Sequence, residues 1–176
     1  MTNTYSYIET KAEQILKQQG FFEAGFDVVA LAKQLNVDVV PENLNDDISG
    51  LFVRINDRPV ISYNKGEKNQ ARRRFTIAHE LGHFILHSDK PLFIDKTPKV
   101  MFRNSASSSG EQLQEREANH FAAALLMPKT LLKLEIENAA ITDNINPIDY
   151  LAKKFIVSEQ AMTFRLANLG YDIGLY

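Results

Sequence analysis

The chain has no cysteine, which excludes a disulfide framework, a thiol nucleophile and any metal site built on thiolates. A metal must therefore sit on histidine and carboxylate. Charge of one sign is also lacking: 20 Lys and Arg stand against 22 Asp and Glu, a net charge of −2, so bulk charge does not point to nucleic acid. The first residues show no basic stretch followed by an apolar run, and no secretory signal is read there. No segment nears the ~18 apolar residues of a membrane span; the longest candidate, Phe121 to Met127, is far shorter. A soluble, cytoplasmic protein without a membrane partner is the expectation. With 176 residues, 44% of them hydrophobic and 24% charged, the chain has ordinary globular usage and enough length for one sizeable core. Histidine is scarce but clustered. The four are His79, His83, His87 and His120, three of them at four-residue spacing.

Apolar residues Ile8, Ala12, Ile15 and Leu16 recur at helical spacing in the N-terminal segment. Asp27 is placed to cap a short second helix over 28–35, with Asn36 as its stop. Val37–Val40, Gly50–Ile55 and Arg58–Tyr63 have strand character, and Asn56-Asp57 predicts a hairpin between the last two. A helix follows from Ala71 to Leu86, its first turn basic against the macrodipole preference. Residues 88–110 are expected to be a long, mostly irregular connection, with a short strand at Val100–Arg103. Helices are expected over 111–127, ended by Pro128, and over 129–139. Two short helices within 147–170, the second capped by Ser158, complete the chain.

Residues 79 to 83 read His-Glu-Leu-Gly-His inside an apolar helical stretch. At 3.6 residues per turn, positions i and i+4 leave one face of a helix, so both imidazoles can reach one cation. Glu80 then stands beside the metal, where it can take a proton from water. Buried polar groups on such a helix are costly unless paired or metal-bound. A catalytic zinc also needs a third protein ligand. Glu117 shares a stripe with Leu113, Phe121, Ala124 and Leu125, whereas Glu115 shares its face with Glu111 and Asn119. An acid on the apolar stripe needs a partner, and this assigns Glu117 as third ligand. His120, three residues on, is positioned either to donate to a developing oxyanion or a ligand carboxylate, or to be structural. His87 reads as packing or as support for a ligand. Residues 64–74 hold five Lys or Arg against one Glu; the ordinary reading is a solvated face, the functional one a grip on acidic groups, with Arg74 near enough to reach a substrate carbonyl.

The stretch from Ala71 to His87, followed by Glu115-Arg-Glu-Ala-Asn-His-Phe-Ala-Ala-Ala-Leu-Leu-Met-Pro128, resembles the ImmA/IrrE family of metallo-endopeptidases. The tail from Leu151 to Gly170 is similar to that family's usual ending, and the Ser-rich stretch 104–110 departs from its pattern. The resemblance implies an α+β fold: a zincin-like core of a small sheet and active-site helices over 1–145, and a helix-turn-helix-like C-terminal segment over 146–176. It implies one catalytic Zn2+ on His79, His83 and Glu117, with Glu80 as base. The implied partner is a helix-turn-helix repressor of the Xre type, cleaved to relieve repression in a phage, mobile-element or stress setting. An extended peptide is expected to add to a strand edge within residues 50–63. The alternative is a transcriptional regulator binding DNA or a repressor through the C-terminal helices, although Glu159 opens the would-be recognition helix.

Overall fold

A computed structural model of the chain describes residues 2–87, 92–96, 109–139 and 146–171. Among them are helices α1 (Thr2–Gln19), α2 (Val28–Gln34), α3 (Gln70–Leu86), α4 (Ser109–Leu126), α5 (Lys129–Ala139), α6 (Pro147–Phe155) and α7 (Glu159–Asn168). The strands are β1 (Asp38–Glu42), β2 (Ile48–Ile55), β3 (Arg58–Asn64) and β4 (Leu92–Lys96). The architecture is α+β, as the motifs implied. The chain divides into two compact units, Asp27–Ala122 and the remainder on either side of it. That partition differs from a boundary after residue 145, because the N-terminal helix belongs with the C-terminal helices.

In the central unit Asp27 caps α2, its Oδ1 accepting from the amides of Val29 and Ala30 at 2.9 and 3.1 Å. Asn36, in the left-handed region at φ 59°, ends the turn that releases the chain into β1. The sheet order is β1-β3-β2-β4, with β1 parallel to β3 and the other pairs antiparallel. Asn56 and Asp57 both take positive φ, 49° and 64°, and Ile55 pairs with Arg58; this is the two-residue hairpin turn whose twist suits its strands. The strand in the 88–110 segment is β4, whereas the one expected at Val100–Arg103 lies outside the described residues. One expectation is overturned. Neither β2 nor β3 has an open edge, since each is bonded on both sides; among the described strands the outer ones are β1 and β4.

Helix α3 lies against β2 and β3, with the Phe52 and Phe84 rings 5.7 Å apart. Asn69 caps it by accepting from the Arg72 amide at 3.1 Å, and Glu67 accepts from Asn69 N at 2.8 Å. The basic first turn is thereby accommodated: Arg72 pairs with Glu67 at 3.2 Å and Arg73 donates to the Glu67 carbonyl. These arginines belong to a cap, and Arg74 is buried.

The second unit is helical. Its core includes Ile8, Leu16, Leu125, Met127, Leu132, Phe155 and Met162. Asn146 and Ser158 cap α6 and α7, and Ile156 turns between them in the left-handed region at φ 53°. Arg165 of α7 is buried. It makes a two-pronged contact with Glu9 of α1, at 2.6 and 2.7 Å, and donates from Nε to the Met127 carbonyl at 3.0 Å.

Candidate metal centre

The central stretch of α3 is unusual in burying histidine and carboxylate beside its apolar residues. Ile77, Ala78 and Leu81 are buried, and so are His79, Glu80 and His83. Positions 76 and 80 share a face turned to β2, where a Cβ added to Gly50 would run into Thr76 Cγ2 and lie 3.2 Å from Glu80 Oε1. Only glycine leaves this space for the Glu80 carboxylate. Positions 79 and 83 share another face. A Cβ on Gly82, between them, would meet Ala118 Cα at 3.1 Å and its carbonyl at 3.2 Å, so a glycine on α3 and an alanine on α4 let the two helices approach closely there.

That approach brings a carboxylate to the histidines. His79 Nε2 and His83 Nε2 are 3.0 Å apart, with Glu115 Oε2 3.3 Å from His79 Nε2 and Glu115 Oε1 3.3 Å from His83 Nε2. His79, His83 and Glu115 form the group of described residues able to hold a metal ion, their ligand atoms within 4.8 Å of one another. Ligand atoms set tetrahedrally around Zn2+ at its usual bond lengths are about 3.3 Å apart, so the donor set fits such an ion in both chemistry and spacing. Burial pushes the His83 imidazole below its ordinary value despite the raising effect of Glu115. Burial would raise Glu115, but hydrogen bonds with His79 and His83 and their charges overcome it and hold its carboxyl at about 2. The directions for His83 and Glu115 run toward the neutral imidazole and the ionised carboxylate, the forms that ligate metals. Glu115 is 46% exposed along its side chain, which leaves the cluster open to solvent.

Glu117 does not take the position expected of it. Its Oε2 lies 3.0 Å from His87 Nε2, and Glu115 stands at the histidines instead. The expectation rested on an acid of the apolar stripe needing a partner, and the partner that Glu117 meets is His87. Leu113, placed on that stripe, is 52% exposed, and the face shared by Glu115 and Asn119 is the one turned to the α3 histidines. The usable signal was Asn119, one turn from Glu115, whose Oδ1 lies 3.1 Å from His79 Nδ1. His87 is buried at the end of α3, its Nδ1 3.2 Å from His83 Nδ1. His120 is part-buried on α4. The charge acting on Arg74 is Asp27, which partly offsets the lowering of its pKa by burial.

Residues 32–167 match the family model of the IrrE N-terminal-like domain, Peptidase_M78. The chain belongs to this metallopeptidase family. An IrrE N-terminal-like domain thus accounts for most of its length, including all of the cluster. A curated relative, "Uncharacterized immunity region protein 2" of Bacillus phage phi105, is 36% identical over 98 residues, 56% of each protein. Among solved structures, a Mycobacterium tuberculosis transcriptional regulator superposes with a TM-score of 0.61 at 20% identity, covering 92% of this chain and 46% of that one. This second likeness bears on the fold alone. The matches span about half the length of both relatives.

Proposed function

We propose that the protein is a zinc-dependent endopeptidase whose metal is held by His79, His83 and Glu115, with Glu80 as the proton carrier. The observation that carries this reading is the convergence of two imidazole nitrogens and a carboxylate beside a buried glutamate, in a chain of a metallopeptidase family. Zn2+ in that set supplies Lewis acidity, which acidifies water and polarises a carbonyl. Glu80 takes the proton of the attacking water and delivers it to the departing amine nitrogen. The Gly50 cradle fixes the place from which it does so. His79 and His83 present Nε2 because their Nδ1 atoms are engaged elsewhere. Edge strand β4, which runs beside α3, is where an extended peptide pairs its backbone, in place of the inner strands first expected.

The substrate class we infer is a helix-turn-helix repressor, cleaved to relieve repression. The support is the phage relative, named for an immunity region. The competing reading, direct DNA binding by α6 and α7, is disfavoured by Arg165: it is the one Lys or Arg of α7, it is buried, and it is paired with Glu9. The test is Glu80→Gln beside wild type, incubated with a helix-turn-helix repressor from the same genomic neighbourhood and followed by intact mass. Wild type should cut it at a discrete site, while Glu80→Gln should bind zinc normally and leave it whole. Equal cleavage by both would dismiss the assignment of Glu80.

A further inference from the structure

His83 uses both of its ring nitrogens. Nε2 faces His79 and Glu115, and Nδ1 faces His87 Nδ1 at 3.2 Å. The other nitrogen of His87, Nε2, lies 3.0 Å from Glu117 Oε2. The proton positions follow from the end of this chain. An ionised carboxylate only accepts, so the His87 proton is on Nε2 and its Nδ1 carries a lone pair. Across the 3.2 Å contact only His83 can then donate. With a metal on the cluster its proton is on Nδ1 and Nε2 carries the lone pair that the metal requires, whereas without one the ionised Glu115, 3.3 Å away, accepts a proton from Nε2. His79 reaches the same state by a different route, since its Nδ1 donates to the amide oxygen of Asn119.

We propose that Glu117 and His87 form a positioning relay that fixes the tautomer and ring orientation of His83 and thereby sets the metal affinity of the site. Neither residue ligates the metal. The side of the cluster occupied by His79 is held by one exposed amide; the side occupied by His83 is held by a buried imidazole, 5% exposed, backed by a carboxylate that is 18% exposed. A carboxylate at the end of such a chain also makes the ligand imidazole more basic, and partners of this kind are worth about 10–100-fold in metal affinity. The positions of His87, one turn beyond His83 at the C-cap of α3, and of Glu117, two residues beyond Glu115, are accounted for together.

The inference rests on the metal site proposed above, and its test separates the two. Zinc affinity is measured by competition with a chromophoric chelator for wild type, Glu117→Ala, His87→Leu and His87→Gln, alongside the thermal midpoint of each metal-free protein. Leucine keeps the bulk of His87 but cannot accept a hydrogen bond; glutamine can accept from His83 Nδ1 through its amide oxygen. Glu117→Ala and His87→Leu should each lose about 10–100-fold in zinc affinity, His87→Gln should stay nearer to wild type, and His87→Leu should melt no lower than wild type without metal. Should His87→Leu fail to fold, Glu117→Ala decides the matter. Zinc binding within twofold of wild type in both Glu117→Ala and His87→Leu overturns the relay and leaves the metal site standing. A wild type that binds no zinc overturns both. Long-range proton–nitrogen spectra of the zinc-loaded wild-type imidazoles give a readout independent of affinity: His83 protonated at Nδ1 and His87 at Nε2 support the relay, and His87 protonated at Nδ1 refutes it.

Discussion

Replacing Gly50 by alanine should be costly for a reason that a second substitution can isolate. The new Cβ would run into Thr76 Cγ2 and sit 3.1 Å from the Ser62 carbonyl and 3.2 Å from Glu80 Oε1. Thr76 is buried on α3, and a β-branched side chain in a helix has few rotamers in which to withdraw. Overpacking of this kind costs about 1–3 kcal/mol, and a contact this short belongs near the upper end. Alanine recovers about 0.5–1 kcal/mol of the backbone entropy that glycine loses in a strand. The expected net loss is about 2 kcal/mol. Thr76→Ser removes the obstructing methyl while retaining the hydroxyl, and alone should cost about 1 kcal/mol for a buried carbon. If the contact is the cause, the double variant is more stable than the sum of the singles by about 1–2 kcal/mol, within the range seen for touching residues. Urea unfolding of the four proteins with zinc chelated reads this directly. Strict additivity would refute the cradle. Peptidase activity is expected to stay low in the double variant, because the 3.2 Å approach to Glu80 remains after the methyl has gone.

Other consequences concern helix placement. Gly82→Ala should change stability by less than about 2 kcal/mol, since the helix-propensity gain of about 1 kcal/mol offsets part of the overpacking against Ala118. Its zinc affinity should nevertheless fall at least about tenfold, because Glu115 moves with α4; a chelator competition showing unchanged affinity would contradict the role given to that contact. Arg165→Leu leaves Glu9 and the Met127 carbonyl without their cation, and should cost about 3 kcal/mol, or about 6–12 °C in thermal midpoint for a chain of this size. Calorimetry showing a shift under 2 °C would remove Arg165 as the tie among α1, α4 and α7 in that unit.

Much of this was legible in the residues. The i, i+4 histidines, the caps at Asp27 and Ser158 and the Asn56-Asp57 hairpin depend on contacts a few residues apart, and local chemistry decides them. What was not legible depends on partners distant in the chain. The choice between Glu115 and Glu117 turns on which face of α4 meets α3, and that is set by Gly82 against Ala118, 36 positions later. The parallel pairing of β1 with β3, and the insertion of β2 between β3 and β4, convert the expected peptide-binding edge into an interior pair. The placement of α1 with the C-terminal helices rests on contacts distant in the chain, among them Arg165 with Glu9 and Thr130 with Glu13. His87 carried too little signal by itself, because the carboxylate that faces it, Glu117, lies 30 residues away in the chain.

The most direct test of the central claim is the zinc dissociation constant of three proteins measured side by side: wild type, Glu115→Ala and Glu117→Ala. Loss of a ligand should exceed loss of a supporting partner, so wild type should bind tightest, Glu117→Ala about 10–100-fold weaker, and Glu115→Ala weaker still than Glu117→Ala. Zinc retained by Glu115→Ala and lost by Glu117→Ala would contradict the account and return the third-ligand role to Glu117.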